Sequence, residues 1–148
     1  MRFQGRVFKA GRYWAIEVSV LGVVTQGRTK KDAYLMIADA IEALVNKEGF
    51  TVQVYPGTGE YFEIGAWDQG ALTALLLRRE RARAGLSLSQ VAQRMNARSL
   101  NAYARYEQGR SVPTVQKLSE LVAAVSPDRD FVLVESRVSE KSGREGSS

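Results

Sequence analysis

The chain has 148 residues, 45% hydrophobic and 25% charged, with a formal net charge of +5, the make-up of a globular protein of one ordinary domain or two very small ones. It holds no cysteine and no histidine, which excludes disulfides and thiolate metal sites and removes the commonest general base and metal ligand. No apolar run approaches the roughly 18 residues that span a bilayer, and "MRFQGRVFKAGRYW" lacks the apolar core and cleavage site of a signal peptide; the expectation is a cytoplasmic protein with no enzymatic activity, no cofactor and no membrane association.

The first elements read as strands. "YWAIEVSV" (13–20) alternates, with Trp14, Ile16, Val18 and Val20 on one face and Tyr13, Ala15, Glu17 and Ser19 on the other. That pattern assigns Trp14 to the core and Glu17 to the surface. "FQGRVFK" before it, joined through Ala10-Gly11-Arg12, makes a hairpin partner, and "GVVTQG" (22–27) a short third strand. Thr29 and Asp32 form a capping-box-like start to a helix running to about Lys47. Its Ala33, Met36, Ile37, Ala40, Ile41, Leu44 and Val45 follow the spacing that packs on a sheet. "FTVQVY" is a fourth strand, Pro56-Gly57-Thr58-Gly59 a turn, and "YFEIGAW" an edge or bridging fifth.

After Asp68 the period becomes helical, in four pieces at about 69–84, 88–95, 99–107 and 114–125. Gly85 closes the first, Ser87 and Gln90 box the start of the second, Ser99 caps the third, Gly109 ends it, and Pro113 marks the start of the fourth. Leu77, Leu86, Val91, Met95, Tyr103, Tyr106, Val115, Leu118 and Val122 are the expected core. "FVLVE" (131–135) reads as a strand after a Pro127-Asp128-Arg129-Asp130 turn. The expected division is a sheet domain at 1–66, a helical domain with a C-terminal strand at 67–136, and a disordered tail at 137–148.

Charge is unevenly spread along the chain. Residues 1–66 hold eight basic residues against seven acids, whereas residues 67–125 hold nine against four, and eight of those nine are arginine. Arginine suits phosphates and guanine edges, so the helical part carries the signature of nucleic-acid binding.

Two capped helices across a tight turn, flanked by arginines, are helix-turn-helix geometry. "GLSLSQVAQRMNARSLNAYARYEQGRSVPTVQKLSELV" resembles the phage-repressor-like (Xre-type) family through Gly85-Leu86-Ser87, Val91-Ala92, the capped third helix, Glu107-Gln108-Gly109 and Pro113. The resemblance implies that the third helix enters the major groove. Leu100, Asn101 and Arg105 then meet base edges, and Arg98, Ser99, Gln108 and Arg110 lie near phosphates. Leu100 departs from the polar reader usual in such repressors and suits only a thymine methyl. The resemblance also implies a structural pair, Arg81 with Glu107, that ties the first helix of the domain to the third.

"YWAIEVSVLGVVTQGRTKKDAYLMIADAIEALV" resembles the HicB family of antitoxins through Gly22, Val24, Thr25, Gln26, Gly27, Thr29, Ala33 and Ala40. That resemblance implies an α+β chain: a small open sheet with one helix, of truncated ribonuclease H-like type, followed by an all-α helix-turn-helix domain with its strand. It also implies a type II antitoxin that neutralises a HicA-type toxin, a small basic ribonuclease that cuts messenger RNA, and represses its own operon by binding operator DNA as a homodimer. Pairing of dimers into a tetramer stays open, and no residue is assigned to toxin contact. Two-metal nuclease chemistry needs several converging carboxylates, and the strands offer Glu17 and Glu63 without partner acids. The alternative is a stand-alone regulator whose sheet senses a small ligand. Phe131, Val132, Leu133 and Val134 are expected to pair with their copies across a two-fold axis, with docking onto the chain's own sheet as the competing arrangement.

Overall fold

The computed structural model describes residues 1–96 and 100–138. They fall into two compact units, Met1–Trp67 with Val134 onward, and Asp68–Leu133. Expectations for Arg98, Ser99 and the tail beyond Val138 lie outside the described residues.

The first unit holds β1 (Arg2–Ala10), β2 (Tyr13–Val18), β3 (Val23–Gly27), α1 (Lys30–Val45), β4 (Gln53–Pro56) and β5 (Tyr61–Gly65). The strands form one antiparallel sheet in the order β3-β2-β1-β5-β4. Alternation along the strands puts Phe3, Val7, Ile16, Val18, Val23, Phe62 and Ile64 in the core, where Ala33, Ile37 and Ile41 of α1 are also buried. Thr29 Oγ1 accepts the Asp32 amide at 3.0 Å and the Asp32 carboxylate accepts the Arg28 amide at 2.9 Å, which fixes where α1 starts. A Cβ at Gly27 would collide with the Ala33 backbone, so only glycine lets β3 end this close under α1. The helix then carries the chain from the β3 edge of the sheet to the β4 edge.

Three expectations for this unit change. β2 stops at Val18, because Ser19–Leu21 is a single 3-10 turn closed by Gly22 at φ 63°. β5 is no edge strand: it lies between β1 and β4, with Phe62 and Ile64 fully buried, and β4 takes the edge. Trp14 is half-buried rather than core, because its register opposite Lys9 and Gly27 sets it at the rim of the sheet.

The second unit consists of α2 (Gln69–Ala84), α3 (Leu88–Arg94), α4 (Leu100–Glu107) and α5 (Val115–Val125). Together the two units make an α+β chain, an open antiparallel sheet with one helix followed by a helical domain. Leu77, Val91, Ala92, Tyr103, Leu121, Ala124 and Val125 form the core of the helical unit, with Leu86, Leu88, Met95, Tyr106 and Leu118 packed around them. Val115 was expected in this core and is 78% exposed. It stands in the first turn of α5, ahead of the inward stripe of Leu118, Leu121, Val122 and Val125. Thr114 Oγ1 caps that helix, accepting the Lys117 amide at 3.1 Å, so Pro113 precedes the cap instead of opening the helix.

The segment 131–135 forms no strand within the chain, and Val132 and Leu133 are 82% and 87% exposed. Residues 134–138 group with the first unit rather than the second. There Ser136 Oγ donates to Glu63 at 2.5 Å and the Arg137 amide donates to the same carboxylate at 3.2 Å, while Val138 is buried. Docking onto the sheet is thus made by residues 136–138, and the apolar run before them stays in solvent. No helix among the described residues is long and apolar enough to cross a membrane.

Candidate nucleic-acid interface

Local chemistry fixes each helix of the second unit. The Asp68 carboxylate caps α2, accepting the Ala71 amide at 2.9 Å, and Gly85 closes it at φ 69°. Ser87 and Gln90 form a reciprocal capping box at the start of α3, with bonds of 3.1 and 2.8 Å. Asn96, which follows α3, adopts φ 52°, a left-handed turn that asparagine tolerates better than most residues.

α4 has two faces of different character. Tyr103, Ala104 and Glu107 point inward and are buried, whereas Leu100, Asn101, Ala102 and Arg105 are exposed. Asn101 and Arg105 stand four residues apart on one helix and so share a face. An exposed asparagine and an exposed arginine match the two commonest bidentate readers in the major groove, of adenine and of guanine. Leu100 is 43% exposed at the start of the same helix, with an apolar surface suited to a thymine methyl. Gln108 and Arg110 are exposed just beyond its C-terminal end.

The buried side of α4 is held by ions. Arg81 Nε lies 2.6 Å from Glu107 Oε1, with side-chain exposures of 24% and 5%. The Arg81 guanidinium also donates to the Leu86 carbonyl at 3.0 Å, and Arg78 donates to the Glu107 carbonyl at 2.7 Å. The hydrogen bond to Glu107 raises the Arg81 pKa above its ordinary value, while burial lowers that of Arg78. Tyr103 is packed beside this pair, and burial together with the Glu107 carboxylate pushes its phenol well above the ordinary range. Glu107 is the only acid on α4. Because its charge is spent inward on Arg81, the outward face meets solvent with Arg105 and no opposing carboxylate of its own helix.

A second buried carboxylate was not singled out from the sequence. Glu80 is fully buried, accepts from Ser126 Oγ at 2.7 Å, and lies 3.3 Å from Arg83 and 3.7 Å from Arg129. It fastens α2 to the end of α5 and the turn after it. The available signal was its position as the lone acid in the run "RRERAR" (78–83).

In the first unit, Glu17 lies 3.9 Å from Arg6 on the strand surface. Glu63 is 3% exposed and accepts from Arg2, Tyr61, Ser136 and the Arg137 amide. Burial pushes its carboxyl up, but hydrogen bonds from Ser136, Tyr61 and Arg2 outweigh that and hold it below the ordinary value. Both carboxylates are engaged in ion pairs. Among the described residues no cluster of three or more acids or other ligands is placed to hold a metal ion.

A helix-turn-helix domain family matches residues 74–130, a span that starts within α2 and ends beyond α5. That match and the exposed face of α4 define a DNA-binding regulator. The match does not extend to the sheet unit, and no curated protein matches the chain.

Proposed function

We propose that this chain is an antitoxin that doubles as the repressor of its own operon. Its sheet unit binds and occludes a small basic ribonuclease of HicA type, and its helix-turn-helix unit binds a palindromic operator. It acts in the cytoplasm, with no catalytic step of its own and no cofactor. The observation that carries this reading is the pairing, in one chain, of a helix-turn-helix domain with a separate sheet unit. In that unit the strand Val23–Gly27 leads through a Thr29 cap into an alanine-rich helix.

The operator complex is a homodimer in this account. Phe131, Val132, Leu133 and Val134 are exposed, and two copies paired antiparallel would satisfy their backbone groups and bury their side chains. The resulting two-fold axis sets two recognition helices about 34 Å apart, one turn of DNA.

Co-expression with a neighbouring open reading frame for a short basic protein containing histidine, followed by purification, tests the reading. A stable complex in which the ribonuclease is silent supports it. Failure of the two proteins to associate, or unimpaired RNA cleavage in the mixture, returns the chain to a stand-alone regulator.

A further inference from the structure

Counted along the sequence, residues 1–66 are nearly neutral, but the fold sorts their charge by place. β1 ends at Lys9 and Ala10, β2 begins at Tyr13 and Trp14, and the register sets Lys9 opposite Trp14 and Trp14 opposite Gly27, the last residue of β3. The turn from β1 to β2 carries Arg12, and the chain leaving β3 carries Arg28, Lys30 and Lys31. Five of the eight basic residues of this region therefore gather at one end of the sheet. Two of its seven acids stand nearby, and both are committed. The Asp32 carboxylate accepts the Arg28 amide at 2.9 Å, and Glu60 pairs with Arg6 at 2.9 Å.

Lys30 Nζ donates to the Gly59 carbonyl at 3.0 Å, but no carboxylate among the described residues neutralises these cations. Among the described residues, none of Lys9, Arg12, Arg28, Lys30 and Lys31 forms an ion pair with a carboxylate. Lys9 and Lys30 instead sit 5.5 and 6.0 Å from the centroid of the Trp14 ring, and Tyr13 beside them is 46% exposed. Like charges held together without counter-charges repel one another, and the arrangement is relieved by a polyanion. Cations interleaved with aromatic rings are a common make-up of nucleic-acid surfaces.

We propose that this end of the sheet is a second DNA-contacting surface, which binds duplex phosphates outside the sequence read by α4. The inference rests on the reading of the second unit as DNA-binding. Because one chain joins this surface to α4, phosphate contacts here on a duplex bound by α4 would be intramolecular and add to affinity even if weak. Lysine and arginine heads supply such contacts without reading bases. The positive charge also repels a basic ribonuclease, which leaves this end uncovered in the antitoxin complex.

The test compares the full-length chain with a Lys9→Gln/Arg12→Gln/Lys31→Gln variant on a duplex of random sequence, titrated with salt. Each phosphate contact contributes about 0.9 to the slope of log K against log salt, so the variant should lose up to about 2.7 of slope and bind roughly 10- to 100-fold more weakly at low salt. In a Trp67→Phe background Trp14 is the only tryptophan left, and duplex should change its fluorescence. An unchanged slope and a silent Trp14, with Arg105→Ala still weakening sequence-specific binding, overturn this proposal alone. No duplex binding by the wild type overturns it together with the reading it rests on. A loss confined to single-stranded RNA overturns it in favour of an RNA surface.

Discussion

Arg81 Nε and Glu107 Oε1 stand 2.6 Å apart across α2 and α4, and the contact sets which way α4 faces. With Glu107 turned inward, the helical period leaves Asn101 and Arg105 outward. Because the carboxylate is 5% exposed, removing Arg81 strands a buried charge. A double-mutant cycle of Arg81→Ala and Glu107→Ala, read by urea unfolding, should give a coupling of about 1–3 kcal/mol, above the roughly 0–1 kcal/mol of exposed pairs. A coupling near zero would refute the tie.

Glu80 and Ser126 make a second such fastening, fully buried on the Glu80 side. Ser126→Ala removes a hydrogen bond from a charged acceptor that water cannot reach, and should cost about 1.5–3 kcal/mol in urea unfolding. A cost under about 0.5 kcal/mol, within the range of an ordinary surface change, would show that the arginines alone satisfy the carboxylate.

The Glu63 cluster gives a pH dependence with a definite sign. Its folded pKa lies below the ordinary glutamate value, so the folded state favours the carboxylate. Its contribution is complete above that value and is lost as pH falls through the lower folded pKa. Glu63→Gln should therefore flatten the acid limb of the stability profile while leaving its slope near neutrality unchanged. Identical acid limbs in the two proteins would show that the cluster does not titrate in this range.

Much of this was legible in the residues, and for local reasons. Ser87 and Gln90, Gly85, and the Thr29–Asp32 start are contacts between near neighbours in sequence, so the spacing alone exposes them. The inward and outward sides of α4 follow from the same helical period. The central place of β5 was not legible, because it depends on pairing with β1 about sixty residues earlier. Nor were the burials of Glu63 and Glu80, whose partners Ser136 and Ser126 are 73 and 46 residues away. The gathering of Lys9, Arg12, Arg28, Lys30 and Lys31 is likewise a product of register: two separate stretches of chain, 9–12 and 28–31, meet at one end of the sheet.

The exposed run before Ser136 gives a prediction about assembly. Val132 and Leu133 are both largely in solvent. Val132→Asp/Leu133→Asp should leave the unfolding midpoint of the isolated chain almost unchanged and abolish dimers at low micromolar concentration in sedimentation equilibrium. Unaltered dimerisation would place the two-fold contact elsewhere.

Sequence-specific reading by α4 is tested by selecting the preferred duplex from a random pool with the wild-type chain, then measuring Arg105→Ala on both that duplex and an unrelated one. The selected site should be palindromic, with half-sites one helical turn apart. On it Arg105→Ala should lose about 1–3 kcal/mol and relax its preference at a single guanine in each half, while binding the unrelated duplex nearly as the wild type does. Equal loss on both duplexes, or a pool that yields no preferred sequence, would contradict it.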